Sequence, residues 1–136
     1  DSLSIDNSIN VYSAHRSPEL VAEHLKACEE GGTKVFIAMA GLAAHLAGAV
    51  ASKTVKPVIG VPGDGGPLQG FDSLLSTVQM PKGVPVATVA IGSAGAVNSA
   101  ILAAQMISLS SPEVEQSLKK QREDSVKSIE QINKDL

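Results

Sequence analysis

Three continuous apolar runs, separated by segments of helical character, constrain the fold of this chain more than any other feature. The runs are TKVFIAMAG (33–41), KPVIGVPG (56–63) and GVPVATVAIG (83–92). Runs that lack polar alternation are typical of parallel strands buried on both faces of a sheet. A fourth segment, INVYS (9–13), alternates apolar and polar residues and is predicted to be a short strand.

The segments between these runs have helical character. SPELVAEHLKACEEGG (17–32) offers Ser17 as an N-cap and Pro18 for the first turn, and Gly31-Gly32 predicts its end. Further helices are predicted over LAAHLAGAVASKT (42–54), FDSLLSTVQ (71–79) and AGAVNSAILAAQMISL (94–109). This alternation of strands and helices predicts an α/β fold with a parallel sheet.

The C-terminal segment, residues 112–136, differs from the rest because charged residues dominate it. Ser110 and Glu113 have the spacing of a capping box. A narrow apolar stripe follows at Val114, Leu118, Val126, Ile129 and Ile132. We therefore expect one domain over residues 1–136, with an α/β core (1–110) and a peripheral C-terminal helix (111–136). That helix docks either on the domain or on another subunit.

Composition excludes several classes of function. The 136 residues carry a net charge of −3 with mixed signs, so there is no basic field for nucleic acid. No apolar run reaches the roughly 18 residues that span a membrane, and no signal-peptide pattern is visible. The single cysteine, Cys28, cannot form an internal disulfide, and a cytoplasmic location is expected.

Ligands of parallel α/β sheets bind outside the carboxyl ends of the strands. That rule selects four corners of the chain: 13–16, 40–46, 62–70 and 91–95. His15 and Arg16 lie at the first corner and His45 at the second. No metal-ligand spacing, phosphate-binding Walker loop or dinucleotide glycine fingerprint is present.

The residues at these corners leave two interpretations open. His15 can exchange a proton near neutral pH and Arg16 can bind an anion, but both can equally be solvated loop residues. His45 stands among Gly and Ala residues, which let backbone touch a ligand, yet a lone histidine in such a run is often a core residue. Asp64 and Asp72 are interpreted as solvated loop acids.

Five strings, taken together, resemble the PurE family of purine biosynthesis. They are SAHRSPE (13–19), AGLAAHLAG (40–48), KPVIGVPG (56–63), LQGFDSLLSTVQMPKGVPVATVAIG (68–92) and AGAVNSAILAAQM (94–106). They stand in the family's order and at its spacings. The sequences of these strings are most similar to the branch of 5-(carboxyamino)imidazole ribonucleotide mutases. They are less similar to the branch that carboxylates aminoimidazole ribonucleotide directly with carbon dioxide.

The resemblance implies a flavodoxin-like three-layer fold and an octamer with sites where subunits meet. It implies a mutase that moves a carboxylate from an exocyclic nitrogen to a ring carbon of an imidazole ribonucleotide, through a trapped carbon dioxide and without metal or other cofactors. The resemblance implies that His15 is the proton shuttle and that Arg16 binds the nucleotide phosphate. It also implies that Ser13 lies at the carboxylate end of the substrate. It assigns a loop enclosing the base and the carbon dioxide to Gly41, Ala43, Ala44 and His45.

Departures from the family pattern keep a second interpretation open. Family members begin with a strand, a GSxSD-like loop and a helix, and this chain is expected to start after that unit. In a flavodoxin-like order the strand at 9–13 would then have no direct neighbour. The chain is accordingly a part of a longer one, a partner of a chain that supplies the strand, or a non-catalytic binding or assembly subunit with a rearranged sheet. Ala47 and Gly63 are smaller departures.

Overall fold

A parallel sheet of three strands lies at the centre of the fold. The structure, a computed structural model, describes residues 3–136. The elements, in chain order, are α1 (Pro18–Glu30), β1 (Phe36–Ala40), α2 (Leu46–Ala51), β2 (Val58–Pro62), α3 (Phe71–Val78), β3 (Ala87–Thr88), α4 (Gly92–Ser108) and α5 (Pro112–Asp135). The chain divides into two compact units, one over Ile9–Ala103 and the other combining Ala104–Leu136 with the residues up to Ser8.

The strand order β1-β2-β3 confirms the predicted α/β class with parallel pairing. All five residues of β2 are buried because this strand is the middle one. β1 pairs with β2 along its whole length, from Phe36 opposite Val58 to Ala40 opposite Pro62. The third predicted strand is much shorter than its apolar run. Pro85 has no N–H to donate to a ladder, and only the two residues of β3 pair with β2.

Helices α1 and α2 close one apolar core against the sheet. Its buried members are Val21, Leu25, Ala38, Ala47, Val50 and Val58. Tyr12, Phe36 and Val86 pack against this cluster while remaining partly exposed. The spacing of Val21 and Leu25 is the i, i+4 pattern by which a helix presents one face to a sheet. The apolar face of α1 therefore packs against the apolar strands, as the sequence predicts.

The prediction of a strand at residues 9–13 is wrong. These residues form no strand, and Ile9 and Val11 are 92% and 95% exposed. Alternating residues form a strand only where a neighbouring strand satisfies their backbone groups. Among residues 3–136 no strand lies on the other side of β1, in keeping with the expectation that this segment would have no direct neighbour.

The second predicted helix starts later than its sequence pattern. Residues 42–45 form a loop, and α2 begins at Leu46 with His45 in the N-cap position. Leu42 has a φ of 56°, a left-handed conformation that a helix cannot contain. The loop at the end of β1 thus extends through His45, which brings that side chain to the edge of the sheet.

The C-terminal helix α5 forms as predicted, but its capping box does not. Ser111, not Ser110, is the N-cap, and its hydroxyl donates to Glu113 Oε2 at 3.1 Å. Val114 and Leu118 are buried at the start of the stripe, whereas Val126, Ile129 and Ile132 are more than half exposed. None of the helices within residues 3–136 combines the length and the apolarity that crossing a bilayer requires.

Candidate functional site

The four corners selected from the sequence meet at one edge of the sheet. The first and second corners are joined by His15 and His45, whose Nε2 and Nδ1 atoms lie 2.8 Å apart. Thirty residues separate these two histidines in the chain. Their contact arises because the turn before α1 and the loop after β1 end at the same edge of the sheet.

The second and third corners are in direct backbone contact. The N–H of Gly63 donates to the carbonyl of Ala40 at 2.7 Å, immediately beyond β1 and β2. A Cβ on Gly63 would lie 3.1 Å from the Cα of Gly41, and one on Gly66 would lie 2.4 Å from the side chain of Leu42. Only residues without a side chain allow the two loops to approach this closely.

The third and fourth corners pack together in the same way. A Cβ on Gly70 would lie 2.6 Å from the side chain of Ile91, and one on Gly92 would lie 2.8 Å from Asp64 Oδ2. Gly70 has a φ of 91° and Gly92 a φ of 71°, and a residue with a side chain would be strained in either conformation. The last three corners consequently form one continuous surface beyond the carboxyl ends of the strands, and the first corner, which follows no strand, joins it through His15 and His45.

A hydrogen-bonded turn presents His15 and Arg16 to solvent. The hydroxyl of Ser13 accepts from the N–H of Arg16 at 3.2 Å, and the N–H of Ser13 donates to Ser17 Oγ at 3.0 Å. Ser17 therefore occupies the predicted N-cap position but bonds back to the turn instead of capping α1. Arg16 forms no ion pair within residues 3–136, so its guanidinium is available to an anion.

The two histidines form a polar contact and not a stacked pair. Their ring centroids are 4.8 Å apart with an interplanar angle of 77°. At 2.8 Å one nitrogen donates a hydrogen and the other accepts it. Both side chains are exposed, so a ligand at this edge of the sheet can reach the pair.

Comparison with known proteins places this chain in one family. The profile of the AIR carboxylase family (AIRC) matches residues 1–128, which include all four corners. The chain belongs to the AIR carboxylase family. Its α/β prediction is also supported by a likeness to the crystal structure of Treponema denticola PurE, with a TM-score of 0.85 and 28% identity over 99% of this chain and 83% of that one.

Two curated relatives of this AIR carboxylase family member are both named N5-carboxyaminoimidazole ribonucleotide mutase. The protein of Bacillus subtilis (strain 168) is 49% identical over 129 residues, which cover 95% of this chain and 80% of the relative. The protein of Pyrococcus abyssi (strain GE5 / Orsay) is 52% identical over 120 residues, which cover 88% and 68% of the two chains. The resemblance deduced from the five sequence strings is thereby confirmed.

The predicted site residues in the loop after β1 are not equally exposed. Gly41 and Ala43 are exposed, and no atom lies within 4 Å of where a Cβ on Gly41 would stand. Ala44 is only 1% exposed, so its methyl group points into the core. A ligand can therefore contact Gly41, Ala43 and His45. It can contact Ala44 only through the backbone.

Hydroxyl groups on α3 hold this loop, and sequence reasoning assigned them no role. Ser76 Oγ accepts from the N–H of Ala44 at 3.0 Å and donates to the carbonyl of Asp72 at 2.6 Å. Thr77 Oγ1 lies 3.5 Å from the carbonyl of Ala44. The signal was present in DSLLSTVQ, because Ser73, Ser76 and Thr77 have the i, i+3, i+4 spacing of one helix face.

Replacing Ser76 with Ala is expected to lower the free energy of unfolding by about 1–3 kcal/mol, because the buried N–H of Ala44 loses its acceptor. Chemical denaturation measures the loss. Ser125→Ala is the matched control, since its hydroxyl bonds only to the carbonyl four residues earlier on the exposed face of α5. Equal effects of the two substitutions would show that the Ser76 contact with the loop contributes nothing.

Proposed function

We propose that this chain is an N5-carboxyaminoimidazole ribonucleotide mutase of purine biosynthesis. It moves a carboxylate from the exocyclic nitrogen of an imidazole ribonucleotide to a ring carbon. The names of the curated relatives support this reaction. The observation that carries it here is the position of His15, on an exposed turn and 2.8 Å from His45 of the loop that follows β1.

The reaction requires one group that gives and then recovers a proton. His15 protonates the exocyclic nitrogen, whose bond to the carboxylate breaks with the electron pair remaining on nitrogen, and carbon dioxide is released. The ring carbon then forms a bond to that carbon dioxide and loses its hydrogen as a proton to His15. Histidine suits both steps because its ordinary pKa is near neutral. Protons balance over the cycle without metal, ATP or an organic cofactor.

The other site residues bind and enclose the substrate in this proposal. Arg16 binds the nucleotide phosphate with its planar set of donors. Ser13 lies at the carboxylate end, while Gly41, Ala43 and the backbone of Ala44 form a close wall around the base and the carbon dioxide. A close wall keeps water away from the released carbon dioxide. His45 completes this enclosure from the N-cap position of α2.

A turnover assay of the purified chain with the N-carboxylated nucleotide tests the proposal. The assay follows the appearance of the C-carboxylated product, and no metal, ATP or bicarbonate is added. Formation of product at a rate independent of bicarbonate is the expected result. A reaction that starts from aminoimidazole ribonucleotide and depends on bicarbonate would favour a direct carboxylase. Binding of nucleotide with no interconversion would favour the non-catalytic binding subunit.

Arg16→Ala is expected to raise KM for the nucleotide about 10- to 100-fold, because hydrogen bonds to a charged group contribute about 1.5–3 kcal/mol. Arg16→Lys keeps the charge but loses the two-pronged geometry, so an intermediate KM is expected. Steady-state kinetics of both variants measure the effect. Unchanged KM in Arg16→Ala would place the phosphate elsewhere.

The proposal includes a homo-oligomer located in the cytoplasm, and the family resemblance implies an octamer. In this proposal, further copies cover large apolar side chains that remain about half or more exposed in the unit over Ile9–Ala103. They include Ile37, Met39, Phe71, Leu75 and Val97. Light scattering on the purified chain determines the number of copies, and a monomer at assay concentrations would contradict this part of the proposal.

A further inference from the structure

The loop after β1 contains a leucine in a strained conformation. Leu42 has a φ of 56°, a left-handed conformation that glycine adopts freely and that strains a residue with a side chain. Within residues 3–136 the other non-glycine residues with positive φ are Ser4 and Gln69, and Gln69 belongs to the third corner. Strain of this kind clusters at functional sites. A leucine at a position that favours glycine therefore indicates that its side chain has a role.

The side chain of Leu42 lies over the backbone of the third corner. A Cβ on Gly66 would clash with Cδ2 of Leu42 and would lie 3.7 Å from its Cγ. Leu42 is nevertheless 53% exposed, so about half of its surface is open to a ligand. The leucine thus bridges the loops after β1 and β2 and still presents apolar surface beside Gly41 and Ala43.

Hydrogen bonds of neighbouring residues fix the backbone around Leu42. The carbonyl of Ala40 accepts from the N–H of Gly63 at 2.7 Å. Ser76 Oγ accepts from the N–H of Ala44 at 3.0 Å and lies 3.4 Å from the carbonyl oxygen of Leu42. The loop is therefore held on both sides of the strained residue, and the position of the side chain over the third corner follows from the backbone.

We propose that Leu42 retains the released carbon dioxide, because its side chain closes the gap between the loops after β1 and β2. This inference rests on the proposed function, in which carbon dioxide leaves nitrogen and is recaptured by carbon. Carbon dioxide carries no net charge, so closure by apolar surface retains it better than a single polar group. Leu42 is the one large aliphatic side chain between Gly41 and His45, where the other residues are alanines.

Escape of carbon dioxide and its recapture leave different products. In both cases the bond between nitrogen and carboxylate breaks with its electron pair on nitrogen, which takes a proton from His15. Recapture forms the new bond to the ring carbon, and the hydrogen of that carbon returns to His15 as a proton. Escape leaves aminoimidazole ribonucleotide, and His15 recovers its proton from water. The ratio of aminoimidazole ribonucleotide to C-carboxylated product therefore measures retention.

Three substitutions at position 42 separate the bulk of the side chain from the backbone strain. Leu42→Gly removes both, Leu42→Ala keeps the strain without the bulk, and Leu42→Met keeps the bulk. The assay supplies the N-carboxylated nucleotide, and the loss in a blank without protein is subtracted.

We expect the ratio to rise about tenfold in the Gly and Ala variants, the effect on a rate of losing the apolar contacts of one side chain. It should stay within about twofold in the Met variant. Tm should be higher in the Gly variant than in the Ala variant, because only glycine relieves the strain at this φ. An unchanged ratio in Leu42→Gly, or a ratio that follows Tm instead of side-chain size, would overturn the proposal.

A substitution on the opposite loop tests the contact without changing position 42. The methyl group of Gly66→Ala displaces Cδ2 of Leu42, so the same rise in the ratio is expected. In a Leu42→Gly background the methyl group has no side chain to displace and should add no further change. Gly65→Ala is the matched control, since no atom lies within 4 Å of its Cβ position. Equal effects of Gly66→Ala in both backgrounds would show that the leucine does not close the gap.

Failure of the proposed function has a different signature from failure of this inference. An unsubstituted chain that forms no C-carboxylated product would contradict the mutase, and the role of Leu42 would fall with it. A chain that forms the product, at a ratio that no substitution at position 42 changes, would contradict the role of Leu42 alone.

Discussion

His15→Asn is expected to lower kcat by about 10²- to 10⁴-fold, the usual contribution of a general acid–base group. Asparagine is of similar size and stays polar, but it cannot give a proton to the exocyclic nitrogen or take one from the ring carbon. Nucleotide binding should be largely retained, because Arg16 and the loop after β1 are unchanged. Turnover assays and calorimetric titration with the nucleotide measure the two quantities separately.

His24→Asn is the matched control for this experiment. His24 lies on α1 outside the four corners, its ring packs 4.9 Å from that of Tyr12, and its Nε2 is 3.3 Å from Cys28 Sγ. Turnover should therefore survive its replacement. An unchanged rate in His15→Asn would remove His15 from the mechanism, and a loss of nucleotide binding in that variant would mean that His15 acts in binding instead.

The sheet and most helices could be predicted because their signals are local. The run at 56–63 contains the fully buried β2, and the apolar spacing of Val21 and Leu25 locates the inner face of α1. The segment 9–13 has an equally clear pattern, yet it forms no strand. A strand depends on a neighbour, and the alternation of Ile9 and Val11 carries no information about whether one is present.

The site could be predicted as a set of corners but not as a set of contacts. The rule for parallel sheets selected the loops that contain His15 and His45, and these loops do meet. The 2.8 Å contact between one nitrogen of each ring depends on where α2 begins, and the sequence pattern placed that start several residues too early. Ser76 was missed for a related reason, since the helical spacing of Ser73, Ser76 and Thr77 does not tell which distant loop their hydroxyls will bond.

Gly95→Ala is expected to have the largest effect on the fold. Gly95 lies near the start of α4, and a Cβ at this position would lie 1.7 Å from the carbonyl oxygen of Ala90 and 2.7 Å from its carbon. No side-chain rotation can relieve a clash between a methyl group and backbone. Either α4 or the chain beyond β3 must shift, and overpacking of this kind costs about 3 kcal/mol, the upper end of the usual range.

Thermal unfolding of Gly95→Ala and Gly65→Ala checks this expectation with the same chemical change at two positions. No atom lies within 4 Å of where a Cβ on Gly65 would stand, so that variant should remain within about 0.5 kcal/mol of the original chain. Gly95→Ala should lower Tm by about 10 °C. It should also reduce turnover, because Ile91 and Gly92 of the fourth corner lie between Ala90 and Gly95 and must move with them. Equal melting temperatures for the two variants would mean that the backbone of Ala90 accommodates the methyl group, and unchanged turnover of Gly95→Ala would mean that the close approach of α4 to Ala90 is not needed for the site.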